Sequence, residues 1–523
     1  MSSQSRRFAV LLGLILALLL LACGASPSLQ GAVQPRRPQA TTAPFMPAAL
    51  ADEEGQTGLQ PPNDEPYEDT FFENYGVNPF IDTEDDHFST FALDVDTGSY
   101  TVGRSYINQG NLPPKDSVRV EEYVNYFRQD YDFPAAGDAF AIYLDGAPIP
   151  FSQTERYEVM RVGIQGYAVS NEEREDVHLT FVVDVSGSMD MENRLGLVKR
   201  SLQLLVNQLR PTDTVAIVVY GDDARAILDP TSGEEKETIN KAIQRLVAEG
   251  STNAEAGLRL AYQVAAKADT GEGLNRVILC SDGVANVGQT GADSILKEIE
   301  EYAADGITLT TVGFGMENYN DVLMEQLADK GNGFYAYVDT FNEARRLFLD
   351  NLTSTLQVIA KDAKIQVDFN PEVVARYRLI GFENRAIEDE EFRDDTVDAG
   401  EIGAGHSVTA LYEIKLHPDT EGTMATVYMR WADPNTDEVT EINREFGTAD
   451  MDEAFDEASP RFQWSVIVGE AAEILRESYW AQGSTLAGVV EEATRVAKLL
   501  PDDPDVVEFV ELMKSATTME KVD

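Results

Sequence analysis

Cysteine is almost missing from this 523-residue chain: Cys23 and Cys280 are the only two, so no disulfide framework can hold it together. Cys280 sits in an apolar run and reads as a small buried residue. Histidine is nearly as scarce. His87, His178, His406 and His417 are scattered, and no H-E-x-x-H places two imidazoles on one helix face, which argues against a zinc hydrolase. A G-x-S-x-G nucleophile elbow and a phosphate-binding G-x-x-x-x-G-K-[ST] loop are also absent. Positive charge is outnumbered, 41 Lys and Arg against 91 Asp and Glu for a formal charge of −50, with no basic stripe. A phosphate backbone would be repelled, so nucleic acid is not a partner. What the chain does have is 43% hydrophobic residues over a length sufficient for two or three domains with ordinary cores.

The N-terminus reads as an export signal. Residues 1–23 place Arg6 and Arg7 before an uncharged aliphatic stretch from Phe8 to Leu21, short for a membrane span. Leu20-Leu21-Ala22-Cys23 resembles the bacterial lipobox, which implies that Cys23 becomes a lipid-modified first residue and anchors the protein to a membrane of the cell envelope. Each buried methylene of such an anchor contributes about 0.8 kcal/mol. A twin-arginine signal is a weaker reading, because Phe8 follows the pair at once. Residues 24–69, rich in Pro, Ala, Gln, Glu and Gly, read as a flexible tether.

The most informative segment is Phe-Val-Val-Asp-Val-Ser-Gly-Ser-Met, residues 181–189. An apolar strand ends by delivering Asp184, Ser186 and Ser188 at alternate positions, and Gly187 lets the backbone bend so that the hydroxyls converge. Oxygen ligands suit a hard divalent ion, yet three are too few for an octahedral shell. Downstream, the polar loop Gly250-Ser251-Thr252-Asn253 and the Ser281-Asp282-Gly283 turn after the apolar run 276–280 offer more. Asp184, Ser186, Ser188, Thr252 and Asp282 complete the count, with Ser251 as the alternative third hydroxyl.

In order and spacing these three segments resemble the metal-ion-dependent adhesion site of a von Willebrand factor type A domain. The resemblance implies Mg²⁺, with Mn²⁺ or Ca²⁺ as substitutes, one coordination position left for an Asp or Glu of a partner, and no enzymatic activity. It extends to a group of bacterial lipoproteins through Phe91-Ala92-Leu93-Asp94-Val95-Asp96-Thr97 and Asn111-Leu112-Pro113-Pro114-Lys115, and again from Asp362 onward.

The expected fold is α/β, a doubly wound and mostly parallel sheet flanked by a β-rich domain and C-terminal helices. Residues 70–176 form an N-terminal α+β region, 177–355 the type A unit, 356–450 a β-sandwich-like region and 451–523 a helical C-terminus. Strands at 140–169 and 364–446 flank the α/β unit, and neither set alone makes a generous sandwich. We therefore expect them to share one β domain into which the α/β unit is inserted.

Competing sites are weaker. Asp94 and Asp96 after an apolar run suggest a phosphohydrolase of the haloacid dehalogenase type, but that chemistry needs a parallel strand in a full α/β domain. Asp433-Pro434-Asn435-Thr436-Asp437 has the alternate oxygens of a calcium loop without its turn glycine, and reads as a hairpin. The leading expectation is divalent-cation-dependent binding of a protein or other carboxylate-bearing ligand by a tethered envelope lipoprotein. The alternative is an envelope scaffold whose metal is structural. For the first, association is expected to slow at low salt, since an acidic partner meets an acidic chain.

Overall fold

The computed structural model describes residues 72–519, apart from 94–95, 152–156, 269–272, 284–291, 316–319, 352–355 and 398. The signal, Cys23 and the tether lie outside the described residues.

The chain begins with β1 (Ile81–Asp82) and β2 (Phe88–Ala92), then α1 (Gly98–Asn108), α2 (Val120–Tyr126), β3 (Phe140–Pro148) and β4 (Tyr157–Gly166). It continues through β5 (Val177–Asp184), α3 (Leu197–Gln208), β6 (Thr214–Tyr220), β7 (Ala224–Ser232), α4 (Lys236–Gln244), α5 (Ala254–Ala268), β8 (Leu274–Ser281), α6 (Ala292–Ala304), β9 (Ile307–Gly313), α7 (Asp321–Lys330), β10 (Tyr335–Tyr337) and α8 (Phe341–Arg345). Six more strands follow: β11 (Val358–Phe369), β12 (Val374–Ile380), β13 (Ile402–Gly403), β14 (Ser407–Leu416), β15 (Thr423–Ala432) and β16 (Val439–Gly447). Helices α9 (Pro460–Leu475), α10 (Leu486–Ala497) and α11 (Pro504–Thr517) close the chain.

The middle segment is an α/β unit with strand order β10-β9-β8-β5-β6-β7. All pairs are parallel except β6 with β7. Its central strands are buried on both faces, which is why they read as continuous apolar runs. One face packs on α3 and α4 through Leu202, Val206, Ile239 and Ile243, the other on α5 to α7 through Leu258, Ala261, Ile299 and Met324. From β5 the chain moves to β6 on one side and later returns to β8 on the other, so order reverses between β5 and β8. That is where ligands bind in open α/β sheets.

The flanking strands make one sandwich. One sheet has the order β1-β12-β14-β4-β3, the other β13-β11-β15-β16 with β2 also on β11. Residues 157–165 of β4 pair antiparallel with 407–415 of β14, and β2 pairs with β11, so strands from before and after the α/β unit share hydrogen bonds. The expected insertion is thus present in the strand pairing, and neither flanking segment is a separate sandwich. The β4 sheet is buried twice, inward on β11 and β15, outward on α2 and α9 through Val159, Leu411, Val124 and Ile467.

Several elements differ from the sequence expectation. β7 carries no apolar period, because it is an edge strand with a largely exposed side. β12 gave no strand signal because Arg376 and Arg378 interrupt its pattern. Arg378 is nevertheless buried, donating to Glu413 and Glu473. Helix α8 is α-helical only to Arg345 and then gives way to a π-helical turn, Arg346–Asp350, from which Arg346 lies 3.7 Å over the Tyr126 ring.

Glu470 on α9 illustrates the cost of burial beside like charges. Burial first, then Glu473 and Glu413, pushes its carboxyl from 4.5 up to about 7, against a hydrogen bond with Ser484. Its folded pKa is raised, so its contribution to stability is complete below 4.5 and is lost as pH rises through 7. Glu470→Gln should flatten the fall in stability between pH 5 and pH 8, an effect on the order of 3 kcal/mol. Chemical denaturation of both proteins at each pH measures it, and identical pH slopes would refute it.

Candidate metal centre

Of the five oxygen-bearing residues singled out from sequence, Asp184, Ser186, Ser188 and Asp282 lie at or just beyond the carboxyl ends of β5 and β8, and Thr252 lies in the loop between α4 and α5. Asp184 is the last residue of β5 and is fully buried. The Ser186 N–H donates to Asp184 Oδ1 at 2.8 Å, and the Ser281 hydroxyl to Oδ2 at 3.2 Å. Ser186 and Ser188 bring their hydroxyls to 3.0 Å of each other across a short 3-10 turn, Gly187–Met189.

The loop bearing Thr252 is tied to this turn by backbone hydrogen bonds. Gly187 N–H donates to Gly250 O at 3.1 Å, and Glu249 N–H to Val185 O at 2.5 Å. Asn253 then starts α5 by accepting from the Ala256 N–H at 3.1 Å. Thr252 is half-buried. Ser251 is exposed, and both its N–H and its side chain serve Asp222, holding that carboxyl below the usual range.

Asp282 follows β8 directly and is fully buried. Its Oδ2 accepts from Arg194 Nη1 at 3.1 Å, and the same nitrogen donates to Ser188 O at 2.7 Å. Burial, with the charge of Asp282 adding to it against hydrogen bonds from Ser186, pushes the Asp184 carboxyl up to about 6. Two buried like charges in one site favour a cation between them. The donor set, two carboxylates and three hydroxyls, is all oxygen and fits a hard divalent ion. Among the described residues no group of three or more His, Cys, Asp or Glu is arranged to hold a metal ion, so any metal site here depends on hydroxyls.

Residues 178–352 match the profile of the von Willebrand factor type A domain. The chain carries a type A domain. Residues 66–158 match a profile described as von Willebrand factor, and 354–519 one described as the C-terminal region of the uncharacterized protein YfbK. Uncharacterized protein YfbK of Escherichia coli (strain K12) is 44% identical over 353 residues, 66% of this chain and 61% of that protein. Uncharacterized protein sll0103 of a Synechocystis strain is 28% identical over 227 residues, 43% of this chain and 52% of that protein. The chain thus spans between half and two thirds of the length of these relatives. A solved structure, von Willebrand factor type A from Catenulispora acidiphila, is 14% identical with a TM-score of 0.42, covering 71% of this chain and 89% of that one. Type A domains are interaction or adhesion modules, generally non-enzymatic, and commonly hold a divalent ion.

Outside the type A domain the competing sites find structural roles. Asp94 lies outside the described residues. Asp96 is buried and accepts from the Tyr335 N–H at 2.9 Å and from Arg385 at 3.0 Å. The strand before it, β2, is antiparallel to β11 in the sandwich, which removes the parallel-strand context that a haloacid dehalogenase needs. Asp433 accepts from the N–H groups of Asn435 and Thr436, closing the β15–β16 hairpin as expected. Cys280 is buried and its thiol is pushed up to about 12, an inert core residue.

Two features of the type A domain's surroundings gave no sequence signal. Arg194 reaches the site from a π-helical turn, Glu192–Gly196, with no motif to mark it. Helix α1 packs against β10, where Thr101 donates to Tyr337 O at 2.9 Å, so the N-terminal region lies along the β10 edge of the domain.

Proposed function

We propose that this chain is an envelope binding protein that takes a carboxylate-bearing protein partner through a divalent cation, Mg²⁺ in the first instance, ligated by Asp184, Ser186, Ser188, Thr252 and Asp282. The observation that carries this reading is the paired Ser186 and Ser188 hydroxyls, 3.0 Å apart, beside the buried carboxylate of Asp184 at the strand-order reversal.

Each residue has a definable task. Asp184 is oriented by the Ser186 N–H and the Ser281 hydroxyl. Ser186 and Ser188 present neutral oxygens, which keep the site from being over-neutralised. Thr252 is the third hydroxyl in preference to Ser251, because Ser251 is engaged with Asp222. Asp282 supplies the second negative charge. When bound, the cation supplies an electrophilic position that an Asp or Glu of the partner completes. A lipid anchor on Cys23 would hold the binding face near a membrane at the end of the 24–69 tether.

Pull-down from envelope extract tests the proposal. Partners are expected with Mg²⁺ and lost with chelator or in Asp184→Ala. Recovery of the same partners by folded Asp184→Ala, or by folded protein in chelator, would refute cation-dependent recognition and leave the metal a structural role.

A further inference from the structure

The sandwich and the C-terminal helices enclose a cavity of about 440 Å³ that contains none of the residues of the candidate metal centre. Three aromatic rings wall it: Phe80 ahead of β1, Tyr157 at the start of β4, and Trp480 in the 3-10 turn Tyr479–Ala481 after α9. Phe80 is the middle one, its ring centroid 5.4 Å from that of Tyr157 and 5.0 Å from that of Trp480, at interplanar angles of 60° and 86°. Rings set at such angles bound a corner rather than a stack. Trp480 is oriented by its Nε1–H, which donates to Asn78 O at 3.1 Å, and still leaves 38% of its surface exposed.

The charged groups that line the cavity are both carboxylates, Glu413 on β14 and Glu470 on α9. Glu413 is satisfied, since Arg378 donates to it from Nε at 2.7 Å and sends Nη1 to Glu473 at 3.3 Å. Glu470 is left less well served. Burial disfavours its charge and the charges of Glu473 and Glu413 oppose it further, while the Ser484 hydroxyl and the already shared Arg378 offset only part of that cost. The rings, meanwhile, already seat cations from the sheet side. Arg378 lies 6.0 Å from the Phe80 ring and 5.6 Å from that of Trp480, and Lys415 lies 5.4 Å from that of Tyr157. Neither Arg378 nor Lys415 is among the described residues that line the cavity.

We propose that this cavity is a binding site for an alkylammonium group, seated among Phe80, Tyr157 and Trp480 with Glu470 as its counter-charge. The volume falls in the range of small-molecule sites, about 300 to 1,000 Å³. A methylated nitrogen suits it best, because the walls offer ring surface while the carboxylates already accept from Arg378 and Ser484. A neutral ligand of the same shape would fill the apolar walls and leave Glu470 without a counter-charge. The site is separate from the metal centre, and the proposal stands or falls without it.

Calorimetric titration of the purified chain tests this, run in chelator at pH 8, where Glu470, pushed up to about 7, has given up its proton. Choline is the probe, and its neutral isostere 3,3-dimethylbutanol is the control. Choline should bind saturably, and the isostere at least about 10-fold more weakly. Glu470→Gln, which keeps an oxygen for Ser484, and Trp480→Ala should each weaken choline by about 10-fold, whereas Trp480→Phe, which keeps a ring, should stay within about 3-fold of wild type. Binding of choline in solution with no sedimentation on phosphatidylcholine vesicles assigns a free solute, and sedimentation that choline competes away assigns a lipid headgroup. Absence of saturable choline binding overturns the proposal. Equal affinity for the isostere also overturns it, making the cavity a plain apolar one, as does folded Glu470→Gln that binds choline as tightly as wild type. Should Trp480→Ala fail to fold, the isostere and Glu470→Gln decide.

Discussion

Asp184→Asn is expected to lose the Mg²⁺ response completely while remaining at least as stable as wild type in chelator. The two halves of that result have one cause. Asp184 is fully buried, its charge is desolvated, and the neighbouring charge of Asp282 raises its cost further. Asparagine keeps an oxygen for the Ser186 N–H, and its amide can donate to the Ser281 hydroxyl, so both hydrogen-bond positions remain filled. Removing the charge therefore relieves the empty centre and disables the filled one. The expected loss in Mg²⁺ affinity is at least about 100-fold, or roughly 3 kcal/mol. Thermal melts with Mg²⁺ and with chelator, alongside calorimetric titration, read both quantities. A variant that still gains stability from Mg²⁺ at wild-type concentrations would place the ion elsewhere.

Asp213→Ala should do the reverse, weakening the fold and sparing the metal. Arg174 and Asp213 form a bidentate pair with both side chains fully buried, at 3.0 and 2.6 Å. Asp213 also accepts from the Val177 and Arg210 N–H groups. Burial alone would raise its pKa, but Arg174 and these backbone donors hold the carboxyl below the usual range. Alanine would leave Arg174 buried without a counter-charge, a loss of about 3 to 5 kcal/mol. The pair lies where the chain enters β5, and Asp184 is at the other end of that strand, about 23 Å away at its normal rise. Urea denaturation should show the full destabilisation, and Mg²⁺ titration of the folded variant an unchanged affinity. A change under 1 kcal/mol would mean that the pair contributes only specificity.

The contrast between these residues mirrors what sequence could and could not reveal. Asp184, Ser186 and Ser188 are legible because strand, turn and ligands occupy nine consecutive residues. Asp282 is legible because an apolar run precedes it, and the shared sandwich because neither flanking segment has enough strands. The structure adds what has no local pattern. Arg194 reaches Asp282 from a π-helical turn, and its stem lies against Gly315, 121 positions away in the chain. β12 is hidden because its buried face carries Arg378, neutralised by Glu413 and by Glu473 from a helix almost a hundred residues on. The approach of α1 to β10 depends on contacts between residues more than two hundred positions apart, such as Thr101 and Tyr337. Periodicity reports burial on one element. Polar networks that join distant elements leave no period.

The pairing of β4 with β14 also dictates an order of assembly. Arg161 is opposite Leu411 in that ladder, so the partner of every residue in β4 emerges some 250 positions later. The α/β unit can close its own sheet within the loop between them, whereas the sandwich must wait for the last strands to arrive. Until then β4 exposes the edge that β14 covers, and the β3–β4 pair an apolar face, the condition in which unfinished chains aggregate. A truncation ending before β14 should therefore keep a native-like α/β unit and aggregate through its orphaned N-terminal strands, which light scattering of the purified fragment beside the full chain would measure.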